Sequence, residues 1–138
     1  MIMVMAGLFS GTAIRGQSSF SGEEMTSLLT NAMEMYGKAK YATAIELFDR
    51  WLVTEKTGNK TERAEAEYLA ALSSMRLTAP DAEYRLQQFI ATNPESPMLN
   101  NARFESGLYC YQKRNYNCAI EWFEQTDRLK LDDKDLAE

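Results

Sequence analysis

The chain has 138 residues and a mass of 15.7 kDa, a size that suits one domain. Its 45% apolar and 25% charged residues are typical of a folded protein and argue against disorder. The net charge of −5 and the pI of about 4.9 argue against a nucleic-acid partner, because phosphate binding needs clustered lysine and arginine. The sequence contains no histidine, which excludes Ser-His-Asp and Cys-His catalytic pairs and any histidine-ligated metal site.

Residues 1–16, MIMVMAGLFSGTAIRG, hold a single charge, Arg15, in a run of apolar and small residues. The run has about the length of a signal-peptide core and is too short to span a bilayer as a helix. We therefore predict a secretory signal, cleaved after Gly16 or alternatively after Ala13, and no integral membrane span in the mature chain, residues 17–138. No lysine or arginine precedes the run, so either the natural start lies upstream or the segment is a buried N-terminus.

Residues 23–52 carry two successive helical patterns. Apolar residues recur at helical spacing at Leu28, Leu29, Ala32, Met33 and Tyr36, and again at Ala44, Ile45, Phe48, Trp51 and Leu52. Only GKAKY separates the two patterns, and so short a turn predicts an antiparallel helical hairpin. The following KTGNKTE, residues 56–62, indicates a loop.

The middle of the chain predicts a second hairpin. Residues 62–77 are rich in Ala, Glu, Leu and Met, which favour a helix. We expect Pro80 to open the next helix in its first turn, where the missing N–H of proline costs little. That helix directs Ala82, Leu86 and Phe89 inwards. The sequence NPESP then ends it, because proline cannot continue a helix.

Residues 98–113 and 116–129, joined by KRNY, predict a third hairpin. Asp132, followed by Asp135, resembles a helix N-cap with an acidic first turn. We therefore expect a further helix to begin here, and the natural protein to continue beyond Glu138.

One phrase occurs twice in the chain. YATAIELFDRWL at residues 41–52 and YNCAIEWFEQTD at residues 116–127 align without a gap, 75 residues apart. The second helices of the three hairpins align on Ala44, Ala82 and Ala119, which are 38 and 37 residues apart, so the offset of 75 is two periods. A small residue lies twelve positions before each alanine and a large one lies four positions after it: Ala32, Ala70 and Gly107, then Phe48, Leu86 and Phe123. The pattern predicts repeated hairpins that bury the same face against their neighbours.

These residues resemble the tetratricopeptide repeat over about residues 24–130, in units of about 24–58, 62–97 and 98–130. The family pattern places a small residue in the first helix, a tyrosine at the start of the second, then alanine and phenylalanine, with proline closing the unit. The matching residues are Ala32, Tyr41, Ala44 and Phe48 in the first unit, Pro94 in the second, and Gly107, Tyr116, Ala119 and Phe123 in the third. The chain departs from the family in its longer period, in Ala79 at the tyrosine position, and in lacking the early tryptophan. The longer connections resemble those of bacterial cell-envelope members.

The resemblance implies an all-α fold, a right-handed α-solenoid of three antiparallel hairpins and the start of a fourth. The first helices of the hairpins would line a concave groove. Carried over position by position, the groove residues are Leu29, Met33, Tyr36, Glu67, Ala71, Ser74, Phe104, Leu108 and Tyr111. Aromatic and methionine side chains suit binding of a protein or peptide partner. For Leu29, Phe104 and Leu108 the alternative is packing between repeats. Leu29, Met33 and Tyr68 replace the polar clamp with which chaperone-binding members hold a carboxylate.

Cys110 and Cys118 lie about equally far from the KRNY turn, on the two arms of one predicted hairpin. They are candidates for a disulfide in an exported protein, and the alternative is two free core cysteines. Acidic pairs such as Glu23/Glu24 lie at predicted helix starts, where they favour the helix dipole. We therefore predict no catalytic residue, no metal site and no cofactor.

The sequence thus predicts a non-catalytic interaction scaffold of the bacterial cell envelope that binds a protein or peptide partner. We expect a periplasmic location, or a cytoplasmic one if residues 1–16 are not a signal, and self-association through the ends of the solenoid. The alternative is the N-terminal sensing or docking module of a larger regulator or enzyme. A glycan-binding lipoprotein is a third reading, but no cysteine follows the apolar run to carry a lipid anchor.

Overall fold

A computed structural model describes residues 21–56 and 59–131. Within these ranges the chain forms six α-helices and one 3₁₀ helix, with no β-strand. The α-helices are α1 (Gly22–Gly37), α2 (Tyr41–Thr54), α3 (Lys60–Arg76), α4 (Ala82–Thr92), α5 (Leu99–Gln112) and α6 (Tyr116–Glu124), and the 3₁₀ helix is Arg128–Lys130. The prediction of an all-helical chain is confirmed for these residues. The predicted signal over residues 1–16 and the predicted helix from Asp132 lie outside them.

Side-chain caps fix the starts of α1, α3 and α6. Ser21 and Glu24 form a reciprocal capping box at α1, in which each side chain accepts a hydrogen bond from the other residue's backbone N–H. The side chain of Asn59 accepts from the backbone of Thr61, and that of Asn115 accepts from the backbone of Cys118. These caps satisfy backbone donors that have no partner inside the helix.

The predicted start of α4 and the predicted end of α6 are wrong. Pro80 lies in a turn just before α4, which begins at Ala82. The last helix ends at Glu124, five residues before the predicted end. The side chain of Asn100 donates to the backbone carbonyl of Asp127 at 2.8 Å and accepts from its backbone N–H at 2.7 Å. Because both backbone groups are engaged, residue 127 cannot continue the helical hydrogen-bond ladder.

The same turn closes all three hairpins. Ala39, Thr78 and Arg114 have φ angles of 55°, 51° and 60°, in the left-handed region. Each lies just after a helix, and its N–H donates to the carbonyl three residues earlier, while the next N–H donates to the carbonyl five residues before it. This pair of hydrogen bonds is a Schellman motif, usually built on glycine. The chain therefore folds back in the same way three times, although its turn sequences differ.

Consecutive helices pack against one another, and α1 also contacts α3. One buried cluster joins α1, α2 and α3: Met25, Leu28, Ala32, Ala44, Phe48, Trp51, Ala66 and Ala70. A second joins α3, α4 and α5: Ala64, Tyr68, Ala71, Leu72, Leu86, Phe89 and Ala102. Helix α3 contributes to both clusters, so it holds the first hairpin to the rest of the described chain.

Arginine side chains add polar links between neighbouring hairpins. Both terminal nitrogens of Arg85 on α4 donate to the carboxylate of Asp49 on α2, each at 2.7 Å. The guanidinium also binds Asp81 at 2.6 Å. Arg63 on α3 donates to the carbonyls of Leu52 and Glu55 at the end of α2, at 3.1 and 2.9 Å. These contacts fix how α2 meets the two helices of the second hairpin.

Candidate interaction surface

The predicted groove residues of the first hairpin lie between helices. Leu29, Met33 and Tyr36 on α1 are half-buried and pack against the first cluster, to which α3 contributes Ala66 and Ala70. Tyr36 also packs against the second cluster. Their apolar surface is therefore largely used in joining α1 to its neighbours.

The predicted groove residues of the second hairpin are also engaged in internal contacts. Glu67 is half-buried, accepts a hydrogen bond from the side chain of Asn93 at 3.0 Å, and pairs with Arg63 at 3.3 Å. Ala71 and Ser74 are fully buried. The expectation that Ser74 faces a groove is therefore wrong for this structure, because helix packing encloses its side chain.

The third hairpin differs from the first at the last of its three counterparts. Phe104 and Leu108 on α5 are half-buried, and Tyr111 is 58% exposed. Beside them on α6, Tyr116 and Ile120 are each 54% exposed. The rings pair across the hairpin, since the centroids of Phe104 and Phe123 and those of Tyr111 and Tyr116 are each 5.7 Å apart. We call this apolar surface the distal face; its residues are Phe104, Leu108, Tyr111, Tyr116, Ile120 and Phe123.

The first hairpin shows how the distal face is built. Tyr36 and Tyr41 pair edge to face with centroids 5.8 Å apart and an interplanar angle of 64°, and Tyr111 and Tyr116 pair at 5.7 Å and 62°. The two pairs are 75 residues apart in the sequence. Both tyrosines of the first pair are half-buried, whereas both of the second pair are exposed. The same local geometry therefore lies in two different environments.

Three residues of the distal face, Tyr116, Ile120 and Phe123, were missed as candidate contacts. They belong to the second helix of the hairpin, whereas the family pattern directs attention to the first. The repeated phrase carried the relevant signal, because it places Tyr116 and Ile120 level with Tyr41 and Ile45. It could not show that one copy would be covered and the other left open.

A disulfide between Cys110 and Cys118 joins α5 to α6, and their Cα atoms lie 5.7 Å apart, within the range that such a bond requires. Cys110 is only 5% exposed, so the bridge lies largely inside the hairpin. At Gly107 the two helices approach closely: an added Cβ would lie 2.5 Å from Cδ1 of Phe123. The bridge and the glycine together hold the two rows of the distal face side by side.

Charges are arranged unevenly around the distal face. Arg114 is exposed in the turn that precedes α6, and Lys113 lies beside it with its Nζ 4.3 Å from the ring centroid of Tyr109. A hydrogen bond with Tyr109 raises the pKa of Lys113 above its ordinary value. Glu121 and Glu124, both exposed, lie toward the other end of α6. Basic side chains also lie at that end, because Arg103 donates to the carbonyl of Gln125 and Arg128 and Lys130 follow in the 3₁₀ helix.

The opposite end of the described chain is polar. On α1, Glu23, Glu24, Ser27 and Asn31 are exposed, and with Arg50 of α2 they line a shallow open cleft. Among the described residues, Tyr111, Tyr116 and Ile120 form a group of exposed large apolar side chains on the third hairpin, whereas Val53, Leu77 and Tyr84 are exposed elsewhere.

Among the described residues, no group of three or more cysteine, aspartate or glutamate side chains is placed to hold a metal ion. None of the described helices combines the length and apolar character needed to cross a membrane. No protein-family model matches the chain, and neither a curated protein nor a solved structure matches it.

Proposed function

We propose that the chain is a non-catalytic interaction scaffold, built as a right-handed α-solenoid of tetratricopeptide-like hairpins, that binds a partner protein through the distal face. The observation that carries the proposal is the exposure of the paired tyrosines Tyr111 and Tyr116 beside Ile120, on a surface whose equivalent in the first hairpin is covered by helices. Contiguous exposed apolar surface with aromatic residues is typical of protein-binding sites.

Repeated local geometry supports the solenoid. Three hairpins close with the same left-handed turn, and the buried positions of α2 recur in α4, where Ala82, Leu86 and Phe89 are 0%, 2% and 1% exposed. The small residues at the helix crossings are buried as such a repeat requires, and Gly107 lies directly against Phe123. These features support membership of the tetratricopeptide class, which sequence similarity alone leaves open.

Location in the cell envelope is part of the proposal. A disulfide between Cys110 and Cys118 suits an oxidising compartment such as the periplasm, because cytosolic thiols are kept reduced. The apolar run over residues 1–16 also supports export. A cytoplasmic protein would hold both cysteines as thiols, which mass measurement after alkylation of freshly lysed cells distinguishes.

Photo-crosslinking tests the binding surface. The photoreactive residue benzoylphenylalanine replaces Tyr111 in the full chain and, in a matched control, replaces Tyr84 on α4, which is 65% exposed. Both sites are exposed tyrosines on helices, so they differ in the surface they sample and little in accessibility. After irradiation in bacterial cells, we expect a discrete adduct from position 111 and none from position 84.

The mass of the adduct and its peptides identify the partner. Equal labelling from both positions would mean nonspecific contact and would contradict a binding role for the distal face. Absence of any adduct from position 111, in a chain that circular dichroism shows to be folded, would remove the proposal altogether.

A docking module of a larger regulator or enzyme is the second candidate. The same distal face favours it, because an apolar hairpin surface can also be covered by another part of one polypeptide. In that case the residue crosslinked to position 111 lies in the same gene product, outside residues 1–138.

A further inference from the structure

We propose that Cys110 and Cys118 form a thiol–disulfide switch that assembles the distal face. In the oxidised chain the bridge holds α6 on α5, and in the reduced chain the start of α6 leaves α5. The inference rests on the proposed function, since it describes how the same surface is regulated. Three features of the described chain favour it.

The first feature is the small buried surface of α6. Of the nine residues of this helix only Ala119 is buried, whereas α2 buries Ala44, Phe48 and Trp51. A helix of nine residues is marginal in water by itself, so α6 depends on its contacts with α5. It has the fewest buried residues of the six described helices, and the disulfide supplies an attachment that packing does not.

The second feature is that the bridge occurs in the hairpin whose second helix is left uncovered. Cys110 and Cys118 are the two cysteines of the sequence, and Met35 and Thr43 stand 75 residues before them in the first hairpin. That hairpin has no bridge, but α3 packs along α2 and buries its apolar side. Among the described helices, α5 is the one that packs extensively on α6. The bridge therefore takes the place of a neighbouring helix.

The third feature is that one end of the bridge is accessible to a reductant. Cys118 is half-buried, whereas Cys110 is only 5% exposed, so an external thiolate reaches Cys118 first. The thiolate bonds to Sγ of Cys118 as the bond between the two cysteine sulfurs breaks, and the electron pair goes to Sγ of Cys110, which takes up a proton. The second thiol of a dithiol reductant then displaces Cys118 as a thiol and leaves the reductant as a disulfide. Oxidation by a protein disulfide runs the same exchange in reverse.

The two ends of α6 are held differently, and this decides how the hairpin opens. Beyond the helix, the side chain of Asn100 binds both backbone groups of Asp127, and this contact does not involve the bridge. At the start, Tyr116 pairs with Tyr111 next to the bridge. Reduction therefore opens the hairpin from its start and moves Tyr116 and Ile120 away from Tyr111.

The redox state links the distal face to the compartment of the chain. Cytosolic thiols are kept reduced, whereas disulfides persist in oxidising compartments. A newly made chain would hold both cysteines as thiols and would lack the assembled surface. Export followed by oxidation would complete it, so binding would begin only where the partner is met.

Hydrogen exchange with mass spectrometry tests the switch on the full chain, oxidised and after complete reduction with dithiothreitol. We expect exchange in α6 to accelerate by about 30-fold or more on reduction. Exchange in α2 and α4, which contain no cysteine, should stay unchanged and serves as the internal control. Reoxidation with oxidised glutathione should restore the slow exchange of α6, and intact mass confirms each redox state.

The double variant Cys110→Ala with Cys118→Ala is the matched control for the reductant. Its α6 should exchange as fast as that of the reduced natural chain, and dithiothreitol should not change it. Circular dichroism confirms that the remaining helices are folded. Unchanged exchange of α6 after complete reduction would overturn the inference. Equal acceleration in α2 and α4 would overturn it as well, because the whole chain would then unfold together.

Photo-crosslinking from position 111 separates this inference from the proposed function. An adduct that forms with the natural cysteines and is lost in the double variant supports both. An adduct that persists in the double variant would refute control of the binding surface by the bridge and leave the proposed function standing. Absence of an adduct from either chain would refute the proposed function, while accelerated exchange of α6 alone would still support the switch.

Discussion

The hairpins α1–α2 and α5–α6 differ in what lies beside them. In the first, α3 packs along α2, and Phe48 and Trp51 are 0% and 2% exposed. In the third, the counterparts Phe123 and Thr126 are half-buried. The ring pairing is nearly the same in both, and five of the twelve residues of the repeated phrase are identical. Burial of the repeated phrase is therefore decided by the neighbouring helix, as expected for a stack in which each repeat completes the core of the next.

The covered copy contributes to folding stability. Under the proposed function, the exposed copy supplies the binding surface. Substitutions at matched positions in the two hairpins separate the two roles.

The largest expected effect comes from truncating the equivalent phenylalanines. Phe48→Ala should lower the free energy of unfolding by about 3–5 kcal/mol, because it leaves a cavity in the first cluster. Phe123→Ala should cost roughly half as much, because Phe123 already contacts solvent and its neighbours can relax. Urea denaturation of both variants measures the difference. Equal losses would show that α6 is as well covered as α2.

Removing the disulfide should have the next largest effect, and it should be local. Closing a loop of this length stabilises a protein by about 2–3 kcal/mol, so Cys118→Ser should lose that amount. Because only Ala119 of α6 is buried, amide exchange should accelerate in α6 and not in α1 or α2. Hydrogen exchange with mass spectrometry resolves these segments. Uniform acceleration along the chain would mean that the helices unfold as one unit.

The ion pair between Arg85 on α4 and Asp49 on α2 should contribute about 1 kcal/mol to the free energy of unfolding, since both side chains are partly exposed. Asp49 occupies the same position in the repeat as Glu124 on α6. In a double-mutant cycle, Arg85→Met and Asp49→Asn should show this coupling, whereas Arg85→Met with Glu124→Gln should show none. Coupling in the second cycle would indicate communication between α4 and α6 that the contacts described above do not provide.

A second contact of Arg85 predicts a pH dependence of stability. The hydrogen bond that Arg85 donates to Asp81 holds the pKa of Asp81 below its usual value of 3.8. A carboxyl with a lowered folded pKa contributes stability above its unfolded pKa and loses it as the pH falls through the folded value. Stability should therefore decline below about pH 4 by less in Arg85→Met than in the natural chain. Urea titrations at pH 3 and pH 7 measure this, and parallel declines would show that other carboxyls dominate.

The smallest expected effect lies in the turns. Thr78→Gly should stabilise the chain by up to about 1 kcal/mol, since a β-branched residue is strained at a φ of 51°. Ala39→Gly, at 55°, should gain less because alanine tolerates this region better. Thermal unfolding compares the two variants. A loss of stability in Thr78→Gly would mean that the hydrogen bond from its hydroxyl to the carbonyl of Leu77 outweighs the strain.

Helical periodicity predicted α1 and α2, the helix-forming composition of residues 62–77 predicted α3, and the repeated hairpin pattern predicted α5 and α6. That pattern misplaced the end of α6 because Asn100, far away in the sequence, binds the backbone at Asp127. No local pattern reveals such a contact.

The candidate site was predicted less well, for a physical reason. Leu29, Met33 and Tyr36 have the composition of a binding row, and so do Phe104, Leu108 and Tyr111. Tertiary packing decides that Tyr36 is half-buried and Tyr111 exposed, and Ser74 shows that even a polar residue at a groove position can be enclosed.

The three left-handed turns also affect how the chain can be aligned with itself. Five residues separate Ala39 from Ala44 and Arg114 from Ala119, but only four separate Thr78 from Ala82. In the middle hairpin the turn residue thus lies one position later, eight residues after Ala70, whereas it lies seven residues after Ala32 and Gly107. Twelve residues separate the small residue from the alanine in all three hairpins, so the corner shifts along the chain without an insertion or deletion. An alignment of the repeats should place its gap between hairpins, because Ala44 and Ala70 are 26 residues apart whereas Ala82 and Gly107 are 25 apart.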